Sequence, residues 1–182
     1  DGDRMPGARW FPDARLNFAE NLLRRRDEKT ALIFRGEDGR RAEISFAELY
    51  RRTAATAAGL RDAGVVTGDR VAGFMPNVID TVVAMLATTS LGAVWSSCSP
   101  DFGINGVLDR FGQIKPKVLF TTDGYYYNGK SLDSLAKVQS IAAKLDSIER
   151  IVVVPFLGEA SDKSQSPNIA ELPRAVLLQE FE

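Results

Sequence analysis

From Leu32 onward, short apolar runs of strand type alternate with apolar residues spaced at the helical period, and this alternation leaves few folds open. Strand, helix, strand, repeated, is the βαβ rhythm of a mainly parallel sheet flanked by helices, because parallel neighbours need a crossover that returns the chain to the same end of the sheet. The fold class expected is therefore α/β. Strands are expected at 70–74, 93–97, 118–122 and 151–154, with a short one at 175–178; Val71, Ala72 and Phe74 suit buried positions in the first. Residues 31–35 and 42–46 flank Glu37-Asp38-Gly39, a turn signal that predicts a hairpin as an antiparallel entry to the sheet.

The helices are marked by their ends. Ser45-Phe46-Ala47-Glu48 reads as a capping box, with Phe46, Leu49, Thr53, Ala57 and Leu60 along one face and Gly64 as the stop. Asn77 is expected to cap a second helix with Asp80 in its first turn and Gly92 just past its end. A third runs from about 104 to 114, stopped by Pro116, and Ser131 is expected to cap a fourth carrying Leu132, Leu135, Val138, Ala142 and Leu145. Residues 158–168 hold almost nothing for a core and read as a surface loop open to disorder. The first thirty residues stand apart: Trp10-Phe11-Pro12, then an amphipathic helix over 16–23 with Leu16, Ala19, Leu22 and Leu23 on one side, predict an appended arm. The division expected is a helical arm, 1–29, and an α/β unit, 30–182. No internal repeat is visible.

The chain has 182 residues, 45% hydrophobic and 26% charged, an ordinary globular balance. A net charge of −1 with mixed signs provides no broad field for nucleic acid or an anionic membrane, so neither is expected as a partner. Arg24-Arg25-Arg26 is answered at once by Asp27-Glu28, and a helix end explains it at least as well as a nucleic-acid patch. With one cysteine and no histidine, no intrachain disulfide can form, zinc and histidine-based triads lack their usual groups, and a reducing, cytoplasmic setting fits. Cys98 reads as a small buried filler rather than a nucleophile, having no histidine or nearby lysine to lower its pKa. The apolar stretch 78–95 is broken by Asp80 and Thr88-Thr89-Ser90, short of the ~20 apolar residues a membrane span needs. Asp1-Gly2-Asp3-Arg4-Met5-Pro6 has neither an initiator methionine nor a signal pattern, and reads as a cut from a longer chain.

Open α/β sheets bind ligands beyond the carboxyl ends of their strands. Ser96, Ser97, Ser99 and Asp101 place hydroxyls and a carboxylate around such a turn; they suit a ligand cradle, and equally suit capping of the following helix. Lys130, in Tyr127-Asn128-Gly129-Lys130, sits near the next strand-to-helix turn, where an ammonium suits phosphate; its other reading is a solvated surface lysine.

Several of these segments carry a resemblance. Trp95-Ser96-Ser97-Cys98-Ser99-Pro100-Asp101-Phe102-Gly103 followed by Val107-Leu108-Asp109-Arg110-Phe111, together with Trp10-Phe11-Pro12, Leu16 to Leu23, Val71 to Asn77 and Tyr127 to Lys130, resembles the acetoacetyl-CoA synthetases, acid–thiol ligases of the acyl-adenylate-forming superfamily. Acetyl-CoA synthetases usually carry Phe-Gly-Gly-Phe at the turn where this chain has Ser99-Pro100-Asp101-Phe102. The resemblance implies the N-terminal portion of an acetoacetate–CoA ligase: the arm and the first, incomplete α/β subdomain of an AMP-binding domain. The intact enzyme would convert acetoacetate and ATP to an acyl-adenylate and pyrophosphate, pass the acyl group to CoA with Mg²⁺ present, and feed ketone bodies into cytosolic lipid synthesis. It also implies that Ser99, Asp101, Tyr127 and Lys130 approach CoA. Some relatives have arginine at or just before the Tyr127 position; Tyr125, Tyr126 and Tyr127 here offer aromatic surface for adenine instead. The phosphate loop, the catalytic lysine and the ATP and Mg²⁺ ligands of such enzymes lie downstream, so no catalytic or metal residue is expected in this chain and its partner is the remainder of the protein. Alternatives are an acetyl- or other short-chain acyl-CoA synthetase, a non-catalytic CoA-binding or interaction module, and a flavodoxin-like nucleotide binder.

Overall fold

Five strands form one wholly parallel sheet in the order Val94–Cys98, Arg70–Phe74, Val118–Thr122, Arg150–Val154, Ala175–Leu177. The structure, a computed structural model, describes residues 3–157 and 167–182. Along the chain these elements are α1 (Phe18–Leu22), β1 (Thr30–Arg35), β2 (Arg41–Ser45), α2 (Phe46–Asp62), β3 (Arg70–Phe74), α3 (Ile79–Ser90), β4 (Val94–Cys98), α4 (Ile104–Ile114), β5 (Val118–Thr122), β6 (Gly124–Tyr127), β7 (Lys130–Asp133), α5 (Leu135–Ala142), β8 (Arg150–Val154), β9 (Ala175–Leu177) and α6 (Leu178–Phe181). The loop expected at 158–168 falls, for 158–166, outside the described residues.

Alternation along each strand sorts the core into two layers. Ala72, Phe74, Leu119, Ile151 and Val153 face α4 and α5, meeting Val107, Phe111, Val138 and Ile141. Val71, Val118, Phe120, Val152 and Val154 face α2 and α3, meeting Ala57, Leu60, Ala84 and Ala87. Helices on both faces explain why the strands are almost continuously apolar. Phe74, Phe111 and Phe120 are fully buried, each worth about 1.5–3 kcal/mol of transfer free energy. Gly73 has a steric role: a Cβ there would lie 2.6 Å from the Trp95 ring, so the bare backbone of β3 seats the indole of β4.

The helix ends follow the sequence closely, with two exceptions. Ser45 accepts the Glu48 N–H at 3.2 Å, but the returning half of the capping box is absent because both Glu48 oxygens are held by Arg51 at 2.7 and 2.9 Å. α2 and α3 both close with the paired bonds of a Schellman motif: Val65 N–H to Leu60 O and Gly64 N–H to Arg61 O, then Ala93 N–H to Thr88 O and Gly92 N–H to Thr89 O. Asn77 does not cap α3. The cap residue is Val78, without a side-chain bond; the Thr81 hydroxyl donates to Pro76 O at 2.7 Å, and Asp80, in the first turn as expected, also pairs with Arg52 of α2.

Three further expectations are corrected. The β1–β2 hairpin does not enter the parallel sheet; it forms its own two-stranded sheet, because Ala31, Leu32, Phe34 and Ile44 bury against Leu49, Ile79, Val83 and Leu86 of α2 and α3. The arm helix is only Phe18–Leu22: Leu16 is 91% exposed, Leu22 is exposed, and only Ala19 and Leu23 are buried. Asn17 fixes it, its Oδ1 accepting the Glu20 N–H and its Nδ2 donating to Ser90 O at 3.0 Å. Ser131 caps no helix; it lies in β7, and α5 starts after Ser134. Arg24 donates to Asn21 O at the end of α1, while Arg25 and Arg26 stack over Phe46 and Tyr50 of α2, so the triplet is committed to holding the arm.

Candidate functional site

The chain steps from β3 to β4 on one side, then crosses to β5 on the other, with α3 and α4 on opposite faces. That reversal makes β3 and β5 the topological switch point, so the turns after β3, β4 and β5 border the crevice where open α/β sheets take ligands.

The turn after β4 is organised by its own side chains. The Ser99 hydroxyl donates to Asp101 Oδ2 at 3.0 Å and accepts the Asp101 N–H at 3.4 Å, while the Phe102 N–H closes onto Ser99 O at 3.1 Å. Neither residue caps α4, whose cap is Gly103 with no side-chain bond. Both side chains are exposed and free to meet a ligand. Ser96 and Ser97 are not in this turn; they belong to β4, opposite Ala72 and Gly73. Cys98 is 4% exposed, and burial pushes its thiol pKa up, in keeping with a filler.

The segment after β5 forms a hairpin that has no counterpart among the expected elements. Asn128 and Gly129 have φ of 50° and 73°, a two-residue left-handed turn, and its register sets Tyr127 opposite Lys130 and Tyr125 opposite Leu132. Tyr125, Tyr127, Lys130 and Leu132 therefore share one face. Tyr126 lies on the other: its ring packs edge-on against Phe156 at 6.0 Å, its hydroxyl donates to Leu157 O at 3.2 Å, and Arg40 stacks over it. Of the three rings expected to offer surface to adenine, only that of Tyr127, 55% exposed, remains open. Lys130 is exposed beside it at the tip.

The two halves of the site meet through residues not singled out for this role from sequence. Tyr125 is buried, and burial, with the neighbouring Asp101 carboxylate, pushes its pKa up. Lys137 of α5 donates to Pro100 O at 3.1 Å and lies 5.7 Å from the centre of the Tyr125 ring. The structure thus joins Ser99 to Asp101 directly, sets Tyr127 beside Lys130, and bridges the pairs with Tyr125 and Lys137. Asp123, 8% exposed at the end of β5, was also missed: one carboxylate oxygen accepts the Phe156 and Leu157 N–H groups at 2.7 and 3.0 Å, tying the loop after β8 to the hairpin base. Burial raises its pKa against the lowering effect of those bonds. A carboxylate directly after a five-residue buried strand was the sequence signal for it.

Among the described residues, no group of three or more Asp, Glu, Cys or His side chains is placed to hold a metal ion, and no helix is long and apolar enough to cross a membrane.

This architecture recurs in known proteins. A family model described as AMP-binding enzyme matches residues 18–177. The acetoacetyl-coenzyme A synthetase of Rhizobium meliloti (strain 1021) is 53% identical over 161 residues, 88% of this chain and 24% of that protein. A malonamoyl-CoA synthetase of Penicillium aethiopicum is 42% identical over 169 residues, 89% of this chain and 23% of that protein. The solved acetoacetyl-CoA synthetase from Streptomyces lividans matches with a TM-score of 0.84 at 42% identity, covering 97% of this chain and 26% of that one. The chain spans about a quarter of the length of these relatives. With the family model covering most of its length, the chain belongs to the AMP-binding enzymes.

Proposed function

We propose that this chain is the N-terminal portion of an ATP-dependent acetoacetate–CoA ligase acting in the cytoplasm, with residues 1–29 as its entry arm and 30–182 as the first subdomain of its adenylation domain. In the whole protein, the acetoacetate carboxylate attacks the α-phosphorus of ATP, releasing pyrophosphate, and the CoA thiol then displaces AMP from the acyl-adenylate. The role we assign to these residues is in the second step. The observation that carries it is the joining, through Lys137, of the Ser99–Asp101 turn to the tyrosine hairpin with Tyr127 and Lys130 at its open tip, at the carboxyl edge of a parallel sheet.

The charges give the site a direction. Lys130 suits the phosphates of CoA, and the exposed Tyr127 ring suits its adenine. Asp101 repels phosphate but accepts hydrogen bonds from the amides and hydroxyl of the pantetheine arm, so the thiol end belongs on the Ser99–Asp101 side. Mg²⁺ and ATP itself we assign to the remainder of the protein, where the resemblance puts their ligands.

A second reading is favoured by the malonamoyl-CoA synthetase match, as close in identity as the solved acetoacetyl-CoA synthetase. Acetoacetate and malonamate both carry a carbonyl group β to the carboxylate, so a β-carbonyl acid is the substrate class. The test is ATP–pyrophosphate exchange by the full-length protein with each acid. Exchange with acetoacetate well above malonamate and acetate supports the proposal; a malonamate preference selects the second reading, and equal exchange with acetate refutes both.

A further inference from the structure

We infer that Lys137 and Tyr125 form a brace that holds the Ser99–Asp101 turn in register with the hairpin tip, making Lys137 a positioning residue for the thiol-accepting half-reaction; the inference rests on the CoA reading above. The turn and the hairpin come from different strands and share no backbone hydrogen bond within their segments. Pro100 is buried at the centre of the turn, and its carbonyl receives the Lys137 ammonium at 3.1 Å. A half-buried ammonium on a carbonyl is a charge-assisted bond, about twice as strong as a neutral one. The same ammonium lies 5.7 Å from the centre of the Tyr125 ring, which is buried and has the Asp101 carboxylate as a neighbour.

The neighbouring cation cannot substitute: Arg110 of α4 is stacked on the Phe102 ring at 4.4 Å and reaches back to Gly106 O. α5 and the hairpin are also tied together. The Ser134 N–H donates to Asp123 O at 3.0 Å, and Asp133 Oδ1 accepts the Ala136 N–H at 3.2 Å, so the helix bearing Lys137 is fixed to the hairpin base. Lys137 therefore passes the position of the phosphate-side tip to the thiol-side turn.

The experiment uses the full-length protein and two readouts: acetoacetate-dependent ATP–pyrophosphate exchange, and KM for CoA in thioester formation. Lys137→Ala is expected to raise KM for CoA about 5–10-fold with exchange within about two-fold of the parent, as loss of one charge-assisted bond used in a single step requires. Lys137→Arg, which can still donate to Pro100 O, is expected to recover most of the loss. Tyr125→Phe removes only the hydroxyl and should shift KM in the same direction by less, which keeps the test open if Lys137→Ala folds poorly. Lys144→Ala, on the exposed segment beyond α5, should alter neither readout. An unchanged KM in Lys137→Ala beside a raised KM in Lys130→Ala overturns the brace and leaves the CoA site standing. Unchanged KM in both variants overturns the CoA reading itself, and a parallel fall of both half-reactions in Lys137→Ala reduces the residue to general stability and also overturns the brace.

Discussion

Replacing Gly73 by alanine tests the packing of the sheet at one atom. The added Cβ would lie 2.6 Å from both Cη2 and Cζ2 of Trp95, about 1 Å inside ordinary carbon contact of ~3.5–4.0 Å. Both atoms belong to a rigid ring that also packs on Phe120 at 6.2 Å, so the indole must tilt as a body. Overpacking of this kind costs about 1–3 kcal/mol, while the lost freedom of the unfolded chain returns about 0.4–1 kcal/mol. The expected net loss is about 1–2 kcal/mol. Trp95→Phe removes the offending half of the ring and costs about 1–2 kcal/mol of buried area by itself. The double variant should then be nearly as stable as Trp95→Phe alone, a favourable coupling of at least about 1 kcal/mol between touching residues. Urea unfolding followed by far-UV circular dichroism measures all four forms without relying on the altered tryptophan. A neutral or stabilising Gly73→Ala, or costs that simply add, would refute the seating of Trp95 on β3.

Further outcomes follow from the same structure. Asp123→Ala strands two part-buried N–H groups and should cost about 1–3 kcal/mol in urea, whereas Asp123→Asn keeps the accepting oxygen and should stay within about 1 kcal/mol of the parent near neutral pH. Because burial raises the Asp123 pKa above its ordinary 3.8, the folded state holds that proton more tightly than the unfolded state, so its contribution to stability falls as pH rises from 3.8 towards the folded value and is level above it; Asp123→Asn should remove that slope. Gly129→Ala meets no atom within 4 Å, so its cost should be the backbone penalty alone at φ of 73°, about 1 kcal/mol, and a null effect would contradict the left-handed turn. Cys98 should resist a disulfide reagent in the folded chain and react on addition of denaturant, and rapid labelling without denaturant would place it elsewhere than in the core.

The parallel sheet was legible because burial on both faces demands continuous apolar strands. The expected spans at 70–74 and 118–122 match the structure to the residue, and the others lie within one residue at either end. Helix stops were equally clear where a glycine must adopt positive φ, as at Gly64 and Gly92. What failed was local chemistry with two outlets. Asn77 and Ser131 are competent caps, but α3 starts one residue later than Asn77 would set it, with the Thr81 hydroxyl on Pro76 O, and Ser131 lies just past an Asn128-Gly129 pair, a strong hairpin signal directly after three strand-forming tyrosines that the helical spacing from Leu132 onward masked. The arm was overread because Leu16 fits the helical stripe by spacing alone, yet nothing covers it in the described residues. In the site, Ser99 with Asp101 and Tyr127 with Lys130 were readable as pairs close in sequence. Tyr125 was visible only as one aromatic ring among three, and Lys137 not at all, because their roles depend on a contact between the β4–α4 turn and α5 that no local pattern encodes.

Amide hydrogen exchange of the full-length protein with and without CoA tests the proposed location of the thiol-accepting site most directly. Slower exchange confined to residues 99–103 and 126–131 on adding CoA is the predicted result. Protection elsewhere, with both segments exchanging as before, would contradict it.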